Sequence, residues 1–187
     1  MNLNTTDYTI LVVDDILSNV LLLKALLKQK GYNFISAMNG EDALEMIRSQ
    51  KPDLVLLDVM MPGMTGFELA EILRQDPETH DLPIIFLTAL GDTSNVEKGF
   101  DKGASDYVSK LFQKDELFSR IGYQLMLRNA YRTINEQNIA YHRASEKMRE
   151  ISERIDSLLL TEKISPELKQ SIDELMDVSH ILQQQVN

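Results

Sequence analysis

Asp53-Leu54-Val55-Leu56-Leu57-Asp58 decides the fold, because four consecutive apolar residues run straight into a carboxylate. A continuous apolar run of that length suits a strand buried on both faces, as a parallel sheet covered by helices requires. Two other stretches share the pattern. Ile10-Leu11-Val12-Val13 leads directly into Asp14-Asp15, and Ile84-Ile85-Phe86-Leu87 leads into Thr88. Working outward, the strand candidates are Tyr8–Val13, Asn33–Ala37, Asp53–Leu57, Pro83–Thr88 and Ser105–Ser109. Helix-period segments fill the intervals, which is the signature of an α/β doubly wound sheet. Gly31 suits a left-handed cap after a helix over Ser18–Lys30. Asn39 suits the N-cap of Gly40–Ser49, and Pro52 ends that region. The last helix of the fold is expected to begin near Asp115.

At 187 residues the chain has room for one ordinary domain and an appendage. It contains no cysteine, which excludes disulfides, thiolate metal sites and cysteine nucleophiles. The opening residues resemble no signal peptide, and no apolar run approaches the roughly 18 residues that span a bilayer. A soluble, cytoplasmic protein with no membrane partner is expected. The formal net charge of −10 argues against nucleic acid as a partner. Residues 1–114 hold ten Lys/Arg against seventeen Asp/Glu, whereas residues 115–160 hold seven of each. No segment is basic enough to read DNA.

Beyond residue 115 the periodicity changes. Leu127, Ile134, Tyr141, Met148 and Ile155 alternate with Ala130, Gln137, Ala144, Ile151 and Leu158 at 3-4 heptad spacing, and only Gln137 is polar. Apolar periodicity sustained over four heptads predicts a long helix from about 115 to 160 and a coiled coil. The stripe from 127 to 158 would be roughly 48 Å long at 1.5 Å per residue, too long to be absorbed by packing on a small domain. The flanking positions lack the Glu/Lys pattern that sets two-stranded pairing. Ser165-Pro166-Glu167 then reads as the start of another helix, with Leu168, Ile172, Leu175, Ser179, Leu182 and Val186 on its stripe. A C-terminal helical hairpin that dimerises as a four-helix bundle is expected. The boundary falls at 125/126, with a sheet domain over 1–125 and a helical extension over 126–187.

If the sheet takes the common doubly wound order 2-1-3-4-5, strands one and three are neighbours and their carboxyl ends form a crevice. Asp14, Asp15 and Asp58 then converge. Carboxylates so close repel unless a cation lies among them, and Mg2+ suits such a hard oxygen site. Thr88 and Lys110 close the fourth and fifth strands at the same edge. A carboxylate nucleophile, a divalent metal, a hydroxyl and a lysine together make a phosphoryl-transfer site. Asp58 would attack phosphorus, Lys110 and the metal would neutralise its oxygens, and Thr88 would hydrogen-bond one of them.

The constellation Asp14-Asp15, Asp58, Thr88-Ala89 and Lys110 resembles the receiver domain of bacterial two-component response regulators. So do the loop from Asp58 through Pro62 to Gly66 and the approach Gly103-Ala-Ser-Asp-Tyr107 to strand five. The resemblance covers roughly residues 7–125. It implies Asp58 as phosphoacceptor, with Asp15, Asp58 and the Met60 carbonyl as Mg2+ ligands and Asp14 acting through a metal-bound water. It implies Tyr107 as a switch aromatic that turns inward when Thr88 engages the phosphoryl group. The helix after strand four, strand five and the following helix would form the signalling face. A histidine kinase or histidine phosphotransfer protein would be the phosphodonor. No enzymatic activity is expected beyond self-phosphorylation and self-dephosphorylation. The family usually has proline after the lysine; here Leu111 follows Lys110, so a trans peptide bond is expected, because a cis bond before a non-proline residue costs about 3–4 kcal/mol.

Two other readings compete with this one. A dehalogenase-type phosphatase needs a second aspartate two residues beyond the nucleophile, and Met60 stands there. A fragment of a hybrid histidine kinase, with residues 115–187 as its dimerisation hairpin, would carry a reactive histidine. His80 lies in a polar loop, His142 lacks the acidic neighbour of such helices, and the Leu-Gln-Gln-Gln after Ile181 does not fit around His180. No glycine-rich nucleotide lid follows. The signalling switch is the leading reading.

Overall fold

The computed structural model describes residues 4–88, 105–159, 170–171 and 174. The chain divides into two units, residues 1–130 and 131–187. In the first, β1 (Thr9–Val13), β2 (Asn33–Ala37), β3 (Leu54–Asp58), β4 (Ile84–Thr88) and β5 (Asp106–Ser109) form one sheet. Its order is β2-β1-β3-β4-β5 and every pairing is parallel. The described helices are α1 (Leu17–Lys30), α2 (Gly40–Gln50), α3 (Gly66–Gln75) and α4 (Lys114–Leu159), preceded by a short 3-10 turn at Thr5–Asp7. The region between β4 and β5, including Ala89, Gly103 and Ala104, lies outside the described residues.

The apolar strands are apolar throughout because each serves two cores. Leu11, Val13, Val55, Leu57 and Phe86 point to one face, where they pack on Ala43 and Ile47 of α2 and Leu69 and Leu73 of α3. Ile10, Val12, Leu54, Leu56 and Leu87 point to the other, against Leu23 and Leu27 of α1 and Leu117, Ile121 and Leu125 of α4. Full burial of one such side chain contributes about 1.5–3 kcal/mol.

Local signals set the helix limits. Gly31 closes α1 with φ 96°, a left-handed position that glycine adopts without strain. Asn39 Oδ1 accepts from the Asp42 N–H at 2.8 Å and starts α2. Thr65 and Glu68 cap each other's backbone at the start of α3. Lys51 closes α2 at φ 46°, a left-handed position without a glycine.

Contacts between α4 and the loops flanking the strands continue to Asn129, whereas the sequence places the domain's end at 125. Gln124 donates to the Ser105 carbonyl at 3.1 Å, and buried Arg128 donates to the carbonyls of Pro52 and Asp53 at 3.2 and 2.6 Å. Asn129 donates to the Tyr8 hydroxyl at 2.6 Å. In the second unit the helix runs from Tyr131 to Leu159, and Tyr131, Ile134, Tyr141, Met148 and Ile151 are exposed. Gln170, Ser171 and Glu174 are helical. The expected cap at Ser165-Pro166-Glu167 and the stripe from Leu168 to Val186 lie outside the described residues, so the hairpin expectation does too. No described helix is long and apolar enough to cross a membrane.

Candidate functional site

Parallel strands bring their carboxyl ends to one edge, and the register decides which residues meet there. Val13 pairs with Leu57, Asp58 with Leu87 and Thr88 with Ser109. The residues after β1, at the end of β3 and after β5 therefore share one rim. Asp14, Asp15 and Asp58 each offer a carboxylate oxygen, and these oxygens all lie within 4.8 Å of one another. Asp14 is 0 % exposed and Asp58 3 % exposed, while Asp15 is half-buried.

Lys110 enters this cluster from the loop after β5. Its Nζ lies 2.7 Å from Asp58 Oδ2 and 3.0 Å from Asp14 Oδ2. The loop is held by the Lys110 N–H on the Thr88 carbonyl at 2.7 Å and the Leu111 N–H on Ser109 Oγ at 3.2 Å. Among the described residues no peptide bond is cis, so Lys110-Leu111 is trans as the missing proline implied. Leu111 is 75 % exposed. Thr88 is buried at the end of β4, beside β5.

The turn after β3 is shaped by close approach. Gly66 donates to the Val59 carbonyl at 3.0 Å, and a Cβ at this glycine would collide with the Asp58 carbonyl. The Met60 N–H reaches Asp58 Oδ1 at 3.4 Å, and the Met60 side chain is 71 % exposed. Tyr107 is buried against Phe86, with ring centroids 5.7 Å apart, and Phe86 in turn meets Phe67 at 5.0 Å. Its ring thus faces inward.

Burial pushes the Asp58 carboxyl above the ordinary carboxylate range, against the opposing pull of Lys110. Burial on its own would lower the Lys110 ammonium, but its bonds to Asp58 and Asp14 outweigh that and raise it. Three carboxylates meet one ammonium here, which leaves two negative charges without a counter-charge among the described residues. That excess, on hard oxygen donors in a buried crevice, fits a divalent cation. All seven residues singled out in the sequence, Asp14, Asp15, Asp58, Met60, Thr88, Tyr107 and Lys110, fall on this edge or on the strands leading to it. One contact was missed: Asn19 Nδ2 donates to both carboxylate oxygens of Asp14, at 3.0 Å each. Its signal was present as an amide on the first turn of the helix after Asp14.

A family model described as the response regulator receiver domain matches residues 10–122. The chain belongs to that family. Its receiver segment is 45 % identical over 112 residues to response regulator PleD of Caulobacter vibrioides, which covers 60 % of this chain and 25 % of PleD. It is 43 % identical over 113 residues to the phosphate regulon transcriptional regulatory protein PhoB of Pseudomonas aeruginosa, covering 60 % of this chain and 49 % of PhoB. The chain thus spans between a quarter and a half of these curated relatives. Among solved structures, a putative response regulator from Chloroflexus aurantiacus superimposes with a TM-score of 0.62 at 40 % identity, over 64 % of this chain and 98 % of that one. NtrX from Brucella abortus gives a TM-score of 0.65 at 25 % identity, over 68 % and 29 %. These matches bear out the receiver fold and its sheet order. Receiver domains of response regulators take their phosphoryl group from histidine kinases.

Proposed function

We propose that this receiver accepts a phosphoryl group on Asp58 in a Mg2+-dependent reaction and passes the signal to its helical C-terminal segment. The observation that carries the reading is the meeting of Asp14, Asp15 and Asp58 with Lys110 at one strand edge, with more negative charge than the lysine balances. Mg2+ held by Asp15, Asp58 and the Met60 carbonyl, with Asp14 acting through a bound water, would neutralise charge on the transferring phosphoryl oxygens. An Asp58 carboxylate oxygen attacks phosphorus while the bond from phosphorus to the donor imidazole nitrogen breaks. Lys110 follows the incoming phosphoryl group, its stem long enough to move without its backbone. The Thr88 hydroxyl donates to a second phosphoryl oxygen, and Tyr107 fills the space beneath. The donor is a histidine kinase or a histidine phosphotransfer protein, and the chain carries out no chemistry beyond its own phosphorylation and dephosphorylation.

The output is a homodimer formed through the heptad seam, a reading supported by the exposure of Ile134, Tyr141, Met148 and Ile151 on α4. Acidic charge supports a protein partner over nucleic acid. The central test is the intact mass after incubation with acetyl phosphate and Mg2+. One added phosphoryl group is expected, absent without Mg2+ and absent in Asp58→Asn. Labelling that persists in Asp58→Asn would sink the assignment.

A further inference from the structure

Asp14 is the most deeply buried of the three carboxylates, and three residues donate to it. The Ile16 N–H reaches Oδ1 at 2.9 Å. The Asn19 side-chain amide reaches Oδ1 and Oδ2, both at 3.0 Å. Lys110 Nζ reaches Oδ2 at 3.0 Å. The first two are neutral and come from the β1–α1 turn and the first turn of α1. Lys110 is divided, because it lies still nearer Asp58, at 2.7 Å.

That division has a chemical consequence. If Lys110 follows the phosphoryl group, Asp14 loses its direct ammonium donor while remaining fully buried. A buried anion needs donors, and an amide contacting both oxygens also limits rotation of the carboxylate about its Cβ–Cγ bond. Asn19 itself is anchored, since its backbone N–H donates to the Ile16 carbonyl at 3.0 Å. We propose that Asn19 is a positioning residue of the cation site, its amide holding the Asp14 carboxylate toward Asp15 and Asp58. It touches neither phosphorus nor metal and acts through Asp14 alone, as partners of metal ligands commonly do. The inference rests on the Mg2+-dependent reading above and assigns that site a residue outside the family pattern described earlier.

The test uses the full chain, with Asn19→Leu, which removes both donors at similar size, and Asn19→Ala as a second variant. Ser18→Ala, on the exposed side of the same turn, is the control. Mg2+ affinity is measured by calorimetry, and acetyl phosphate labelling is followed over a range of Mg2+ concentrations. Both Asn19 variants are expected to weaken Mg2+ binding by about 10-fold or more. Half-saturating Mg2+ should rise in parallel, while the labelling rate at saturating Mg2+ stays near that of the parent. Affinity within twofold of the parent in a folded variant overturns the proposal. So does a lower melting temperature with unchanged Mg2+ dependence, or loss of the fold in both variants, because the contact is then structural only. If the parent chain itself binds no Mg2+, the cation reading falls and takes this inference with it.

Discussion

Asp58 titrates in a setting that favours its proton, with burial as the main cause and Lys110 opposing it. The folded chain therefore binds that proton more tightly than the unfolded chain does. Stability contributed by this group is lost as pH rises from the ordinary carboxylate range through the raised pKa. Lys110, whose pKa is raised, contributes fully below its unfolded value and does not change in this window. Urea unfolding of metal-free protein and of Asp58→Asn across the acid-to-neutral range should thus diverge, with the variant gaining relative stability toward neutral pH. A pH-independent difference would contradict the assignment. A second residue-scale test concerns Lys51, exposed and left-handed at φ 46°. Lys51→Gly should raise the urea midpoint by an amount worth up to about 1 kcal/mol, because glycine takes that φ without crowding; a lower midpoint would show that chain entropy wins. Residues that end apolar runs, such as Asp14 and Asp58, were legible because the run and the charge adjoin in sequence. Asn19 was not, because its role depends on which way a carboxylate turns.

At the scale of elements, strand existence was legible and strand edges were less so. Asp53 adjoins the apolar run of the third strand in sequence, but its carboxylate accepts the Thr9 N–H at 2.8 Å, and the strand begins at Leu54. The docked length of α4 was also hidden, because Arg128 meets carbonyls some 75 positions away in the chain. Heptad arithmetic sees the face of a helix and not the partner that claims it. These contacts carry expectations of their own. Arg128→Met should destabilise the first unit by about 2–3 kcal/mol, since it removes the buried guanidinium that donates to the Pro52 and Asp53 carbonyls. Tyr8→Phe, which removes the hydroxyl that accepts from Asn129, should cost about 1 kcal/mol. Urea unfolding followed by circular dichroism checks both, and equal midpoints for Arg128→Met and the parent would show that the docking contributes nothing.

For the whole molecule, the decisive measurement is mass in solution. Light scattering at tens of micromolar should give a dimer, and replacing Ile134 and Met148 together by lysine should give a monomer. A monomeric parent would refute the seam reading. The exposed stripe of α4 also predicts an unusual response to ionic strength. Its side chains are uncharged, whereas each copy carries a formal −10 and residues 1–114 hold most of that excess. Two like-charged bodies would be drawn together by an interface without charge of its own. The Debye length shrinks from about 10 Å at 0.1 M salt to about 3 Å at 1 M, so added electrolyte quenches the repulsion and leaves apolar contact intact. Self-association should therefore tighten as salt rises, the reverse of what an interface built on ion pairs would do, and dilute buffer is where the assembly should come apart.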